Sequence, residues 1–146
     1  MREAGVVIDH KGAPLFWHFP PQRTTVGLPD SRVLWDILWT ARDSIAGFAH
    51  SHPGAGLPRP SEEDLSTFAA VEAALGRRLA WWIVSRDEVA SATWSGPGRH
   101  DYETCLVPSE PAWTNVLRLA SWQGEERDGI REVRSKGEHH VEWAER

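Results

Sequence analysis

The chain holds one cysteine, one methionine and one tyrosine in 146 residues. A single thiol has no internal partner, so no disulfide framework staples the fold, and a reducing, cytoplasmic compartment is expected. Cys105 falls in Tyr102–Val107, which reads as an apolar strand, and is expected to be a buried structural thiol rather than a nucleophile. Long apolar runs are also missing. The longest, Leu79–Val84, is far too short to span a bilayer, and no basic segment followed by an apolar one opens the chain. A soluble protein with no membrane partner is the expectation. A basic stripe is absent too, and the net charge of −5 argues against a nucleic-acid partner. There is no internal repeat.

Tryptophan, by contrast, occurs nine times. Trp81 and Trp82 are adjacent in an apolar run, so on a strand they face opposite sides of a sheet, and a strand apolar on both faces belongs between layers of helices. Trp35 and Trp39 stand four apart and share one helix face. Most tryptophans are expected in the core. Trp17, Trp94 and Trp113 are less constrained, and one of them could line a substrate groove.

Read along the chain, Glu3–Ile8 and Leu15–Phe19 form a hairpin about His10-Lys11-Gly12. After a proline-bounded loop, Asp30 or Ser31 caps a helix running to about Arg42. Ala46–His52 is a strand. Glu62–Leu75 is a second helix, with Leu65, Phe68, Val71 and Leu75 on one stripe and Gly76 as its C-cap. Leu79–Ser85 and Val89–Trp94 pair about Arg86-Asp87, Tyr102–Val107 adds a strand, and Ser109 caps a last helix through Ala120. This is an α/β pattern with one sheet between helices. Residues 1–122 make the domain. Residues 123–146 are charged, mixed in sign and poor in apolar periodicity, and read as a C-terminal tail, where His139, His140 and Glu142 are solvated rather than a metal site.

The most informative segment is His50-Ser51-His52-Pro53, a spacer through Pro60, and Ser61-Glu62-Glu63-Asp64. On a strand, period two sends His50 and His52 to one face and Ser51 to the other. Pro53 and the glycines behind it end the strand and turn the chain. Ser61-x-x-Asp64 has the form of a capping box, so a helix starts there and its first turn can return Asp64 to the histidines. Two imidazoles and a carboxylate suit a catalytic zinc site, because three protein ligands leave a position for water.

His-Ser-His-Pro, seven residues, then Ser-x-x-Asp resembles the JAMM motif of JAB/MPN-domain metallopeptidases, with similarity from Glu3 to about Arg86. The resemblance implies an MPN fold, akin to that of the zinc cytidine deaminases: a mixed sheet flanked by helices on both faces. A deaminase itself is a poor alternative, because the Pro-Cys-x-x-Cys half of its zinc motif is absent. Also implied are one Zn²⁺ per chain on His50, His52 and Asp64, and Ser61 as a stabiliser of the tetrahedral intermediate. A glutamate general base is implied as well, for which Glu3, ahead of Ala4-Gly5-Val6-Val7-Ile8, is the acid in the matching context. The family normally has a helix before this glutamate. With only Met1 and Arg2 ahead of Glu3, the strand itself must hold it.

The implied reaction is hydrolysis of a peptide or isopeptide bond in a protein or peptide substrate. With no long insertion near the motif, the pattern leans to a short prokaryotic or phage-type enzyme acting on a small ubiquitin-like or sulfur-carrier protein, or on a peptide. Two other classes compete: a zinc-binding but inert MPN scaffold, and a metal-free structural or assembly protein. Zinc content separates the last from the others, and peptidase assays on a Glu3 variant separate the first two.

Overall fold

The computed structural model describes residues 1–122, and the expectations for His139, His140, Glu142 and the tail lie outside the described residues. Six strands, β1 (Gly5–Asp9), β2 (Pro14–His18), β3 (Ile45–Ser51), β4 (Ala80–Val84), β5 (Val89–Trp94) and β6 (Tyr102–Leu106), form one sheet in the order β2-β1-β3-β4-β5-β6. Only β3 and β4 run parallel; every other neighbouring pair is antiparallel. A parallel pair needs a crossover, and α2 (Glu62–Leu75) supplies it. The helix α1 (Arg32–Thr40) begins at Ser31, whose Oγ accepts the Leu34 N–H. Gly76 ends α2 in the left-handed region, as a C-cap glycine does. Among the described residues no helix is long and apolar enough to cross a membrane.

The fold is a mixed α/β sheet with helices on both faces, as expected. Val7, Ile83 and Trp81 on one face pack against Leu34 and Leu38 of α1 and Phe68, Val71 and Leu75 of α2. On the other face, Val6, Ile8, Ala49, Val84 and Val89 meet Trp113 and Leu117 of a third helix, α3, described over residues 113–122. The adjacent tryptophans divide between these layers as period two requires: Trp81 joins the first core and Trp82 borders the second.

Three expectations need correction. Cys105 is exposed. Its strand, β6, lies at the sheet edge and pairs only with β5, so few side chains cover it. Ser109 does not cap α3, which starts later at Trp113. Pro111 restrains the backbone there, and its carbonyl accepts both the N–H and the hydroxyl of Thr114. Trp39 is 53% exposed, stacked under the Arg42 guanidinium, although its helix neighbour Trp35 packs against the core.

Candidate metal centre

The centre is built from the end of β3 and the start of α2. His50 lies opposite Gly5 in the β1–β3 register, and the space that Gly5 leaves by lacking a side chain is taken by the ring of Phe48. His52 follows directly after the strand, its N–H held by the Val84 carbonyl at 2.9 Å. Ser51 points to the other face, where its Oγ accepts the Ala4 N–H at 2.9 Å and shares a 2.7 Å hydrogen bond with Ser121 Oγ of α3. That pair fixes the strand's rotation and with it the direction of both imidazoles.

The chain then turns through Gly54 and Gly56, both at positive φ, a conformation L side chains rarely adopt. The β4–β5 turn ties this loop down. Arg86 N–H donates to the Gly54 carbonyl, Gly56 N–H to Asp87 Oδ1 at 2.7 Å, and Ser85 Oγ to the Gly56 carbonyl at 2.6 Å. Ser61 and Asp64 form the expected capping box, with Asp64 N–H on Ser61 Oγ at 3.0 Å and Ser61 N–H on Asp64 Oδ2 at 2.9 Å.

Asp64 thereby faces both histidines. Its Oδ2 is 2.9 Å from His52 Nε2 and its Oδ1 is 3.4 Å from His50 Nε2, and one ligand atom from each of the three residues lies within 4.8 Å of the others. Burial alone would raise the Asp64 carboxyl, but the two imidazoles and the Ser61 N–H outweigh it and hold the group far below the usual carboxylate range. His52 is raised from its ordinary value: burial opposes this, and the Asp64 bond and charge, with Glu3 behind them, prevail. Nε2 of His50 is buried without a hydrogen-bond partner. Buried polar atoms are nearly always satisfied, and a cation shared with the nearby His52 and Asp64 ligand atoms would satisfy this one. The residues fit a metal ion.

These side chains open into a cleft of about 350 Å³ that Glu3, Ser61 and Glu63 also line. Glu3 is 8% exposed although it precedes β1. Its N–H donates to the Thr24 carbonyl at 2.8 Å, its carbonyl accepts from Arg23, and Ala4 beside it is bound to Ser51. Burial pushes its carboxyl up, partly offset by His50 and His52. Phe48, Phe68 and Trp81 form an apolar wall, and Val26, Gly27 and Leu28 of the loop between β2 and α1 line the cleft as well.

The family described as prokaryotic homologs of the JAB domain matches residues 9–96, with His50, His52, Ser61 and Asp64 inside the match. The chain belongs to that family. No curated protein matches it. In this JAB domain Glu3 lies ahead of the matched segment, and the structure alone brings it to the histidines.

The sequence leaves Trp17, Trp94 and Trp113 as candidates for a groove tryptophan. None lines the cleft. Trp113 is buried in the opposite core, and Trp94 is half-buried, its Nε1 donating to the Gly98 carbonyl under the Arg78 guanidinium. The cleft tryptophan is Trp81. The β3–β4 register that sets Phe48 beside Trp81 at the cleft wall has no local signature.

Proposed function

We propose that this JAB domain hydrolyses a peptide or isopeptide bond, with Zn²⁺ held by His50, His52 and Asp64 and Glu3 as general base. The observation that carries the reading is the burial of Glu3 in the same cleft as the three ligand atoms, where its carboxylate feels the charges of His50, His52 and Asp64. Two neutral imidazoles and one carboxylate match the donor set of catalytic zinc sites. When bound, the ion supplies a Lewis acid and an acidified water.

The remaining work falls to the protein. Glu3, raised by burial, takes a proton from the attacking water and returns it to the leaving amine. Ser61 Oγ accepts the Asp64 N–H, which leaves its own hydroxyl proton to donate to the oxyanion that forms at the carbonyl. Phe48, Phe68 and Trp81 exclude water from one side. The substrate we favour is a protein or peptide, in particular a small ubiquitin-like or sulfur-carrier protein whose extended C-terminal segment lies in the cleft.

The buried, unpartnered His50 Nε2 weighs against a metal-free structural protein. The test is zinc content after zinc-supplemented expression, followed by cleavage of carrier-protein fusions and a peptide library by wild type and Glu3→Gln. Absence of zinc refutes the metal centre. Zinc with no cleavage of any substrate leaves the inert scaffold as the better description.

A further inference from the structure

Helix α2 carries a second buried carboxylate that the chemistry above does not use. Glu72 is 3% exposed. Its Oε1 accepts from Arg78 Nη1 at 2.9 Å and from the Tyr102 hydroxyl, and its Oε2 accepts the Leu79 N–H at 3.0 Å and Trp81 Nε1 at 2.9 Å. The four donors come from the turn after α2, from β4 and from the edge strand β6. A buried carboxylate satisfied from several elements holds them in one arrangement, because any shift strands a charged acceptor away from water.

Asp64, Phe68 and Glu72 stand four and eight residues apart along α2 and share one stripe of the helix. Trp81, whose indole N–H Glu72 takes, stacks on Phe68 with centroids 4.3 Å apart and planes 11° apart. Phe68 in turn meets His50 edge-on at 6.3 Å. The capping box at the other end of α2 is internal to its own segment, so it shapes the turn without fixing the helix to the sheet. Glu72 makes that connection, setting the rotation and axial position of α2 against β4.

We infer that Glu72 is a positioning residue for the metal centre: by locking α2 to Trp81 and Tyr102, it sets where Asp64 meets His50 and His52. The inference rests on the metal reading given under the proposed function.

Zinc affinity of the metal-free protein and the visible spectrum of its Co²⁺ form provide the test. Glu72→Gln keeps the shape of the side chain but offers one acceptor oxygen instead of two. It is expected to bind zinc more weakly, by up to about 10-fold, the low end of what losing a direct hydrogen-bond partner of a ligand costs, and to alter the Co²⁺ spectrum. Tyr102→Phe and Trp81→Phe, which each remove one donor, should move both readouts in the same direction by less. Val89→Ala in the opposite core lowers Tm but should leave affinity and spectrum unchanged, which separates positioning from general stability. A folded Glu72→Gln with wild-type affinity and spectrum overturns the inference. If Glu72→Gln does not fold, wild-type values in both Tyr102→Phe and Trp81→Phe overturn it equally. A wild type that takes up neither metal overturns the metal reading itself, and is a separate failure.

Discussion

The ring of Phe48 occupies the space that a side chain at position 5 would need: a Cβ on Gly5 would lie 2.3 Å from Phe48 Cζ. Gly5 is thus the reason Phe48 can lie across β1 and wall the cleft. Gly5→Ala should push the ring toward the histidines and cost about 1–3 kcal/mol, as overpacking does. Adding Phe48→Leu should recover much of that stability. Denaturant unfolding of the single and double variants checks this, and simple additivity of the two would refute the contact. Gly47→Ala should be worse, because its Cβ would lie 1.7 Å from the Ala80 carbonyl oxygen, which cannot move without breaking the β3–β4 ladder.

Ser61 holds two roles that one substitution can separate. As an N-cap, its loss to alanine should cost about 1 kcal/mol of stability. As a hydrogen-bond donor to the oxyanion, its loss should cost on the order of 10²-fold in kcat. Full activity in a slightly less stable Ser61→Ala protein shows that only the cap matters.

Glu3→Gln preserves size and polarity while removing the base. Zinc content should be unchanged and hydrolysis should fall on the order of 10²–10⁴-fold. Wild-type turnover in this variant rules out Glu3 as the base. Glu63, which also lines the cleft, is then the next acid to test.

Metal occupancy should be about one zinc per chain near neutral pH. It should decline below about pH 6, because protons compete for the imidazoles. Asp64, held far below the carboxylate range, stays ionised through that interval, so the loss follows protonation of His52, which Asp64 and Glu3 hold above its ordinary value. Zinc analysis after dialysis across pH 5–8 reads this directly. Occupancy that stays flat across the range contradicts the ligand assignment.

His18 gives a separate pH signature. It is buried, and its Nε2 donates to the Pro29 carbonyl at 2.6 Å. Burial lowers its pKa, outweighing the Pro29 bond and the Asp30 charge, so the neutral ring is favoured in the folded state. Its contribution is fully present above the unfolded value near 6.5 and is lost as pH falls through the lower folded value. The metal-free protein should therefore lose Tm on acidification, and His18→Gln should lose less. Equal losses in both would show that His18 does not report on folding.

Much of the site was legible in the sequence because its chemistry is local. His50 and His52 follow from strand period, and the Ser61–Asp64 capping box is a four-residue pattern. What stayed hidden depends on which strands neighbour each other. The apolar run around Cys105 suggests burial, but exposure depends on β6 being an edge strand, which no property of residues 102–107 reveals. Glu72 sits beside Val71 in α2, and nothing there marks it as buried, since its donors are supplied by residues from 78 to 102. The core position of Trp81 follows from its apolar run, yet its part in the cleft wall depends on the parallel pairing of β3 with β4.

The ties from Ser85, Arg86 and Asp87 to Gly54 and Gly56 give the β1–β2 and β4–β5 hairpin turns unequal freedom to vary. The turn at Lys11–Gly12 is exposed and lies at the opposite end of β1 from Glu3, so added residues there can extend into solvent. The turn at Arg86–Asp87 is equally exposed and equally short, but it is half of a clasp whose other half leads into Ser61. A tag or graft placed there should loosen the motif loop and increase hydrogen exchange at Gly56, although the insertion is remote in sequence from both histidines.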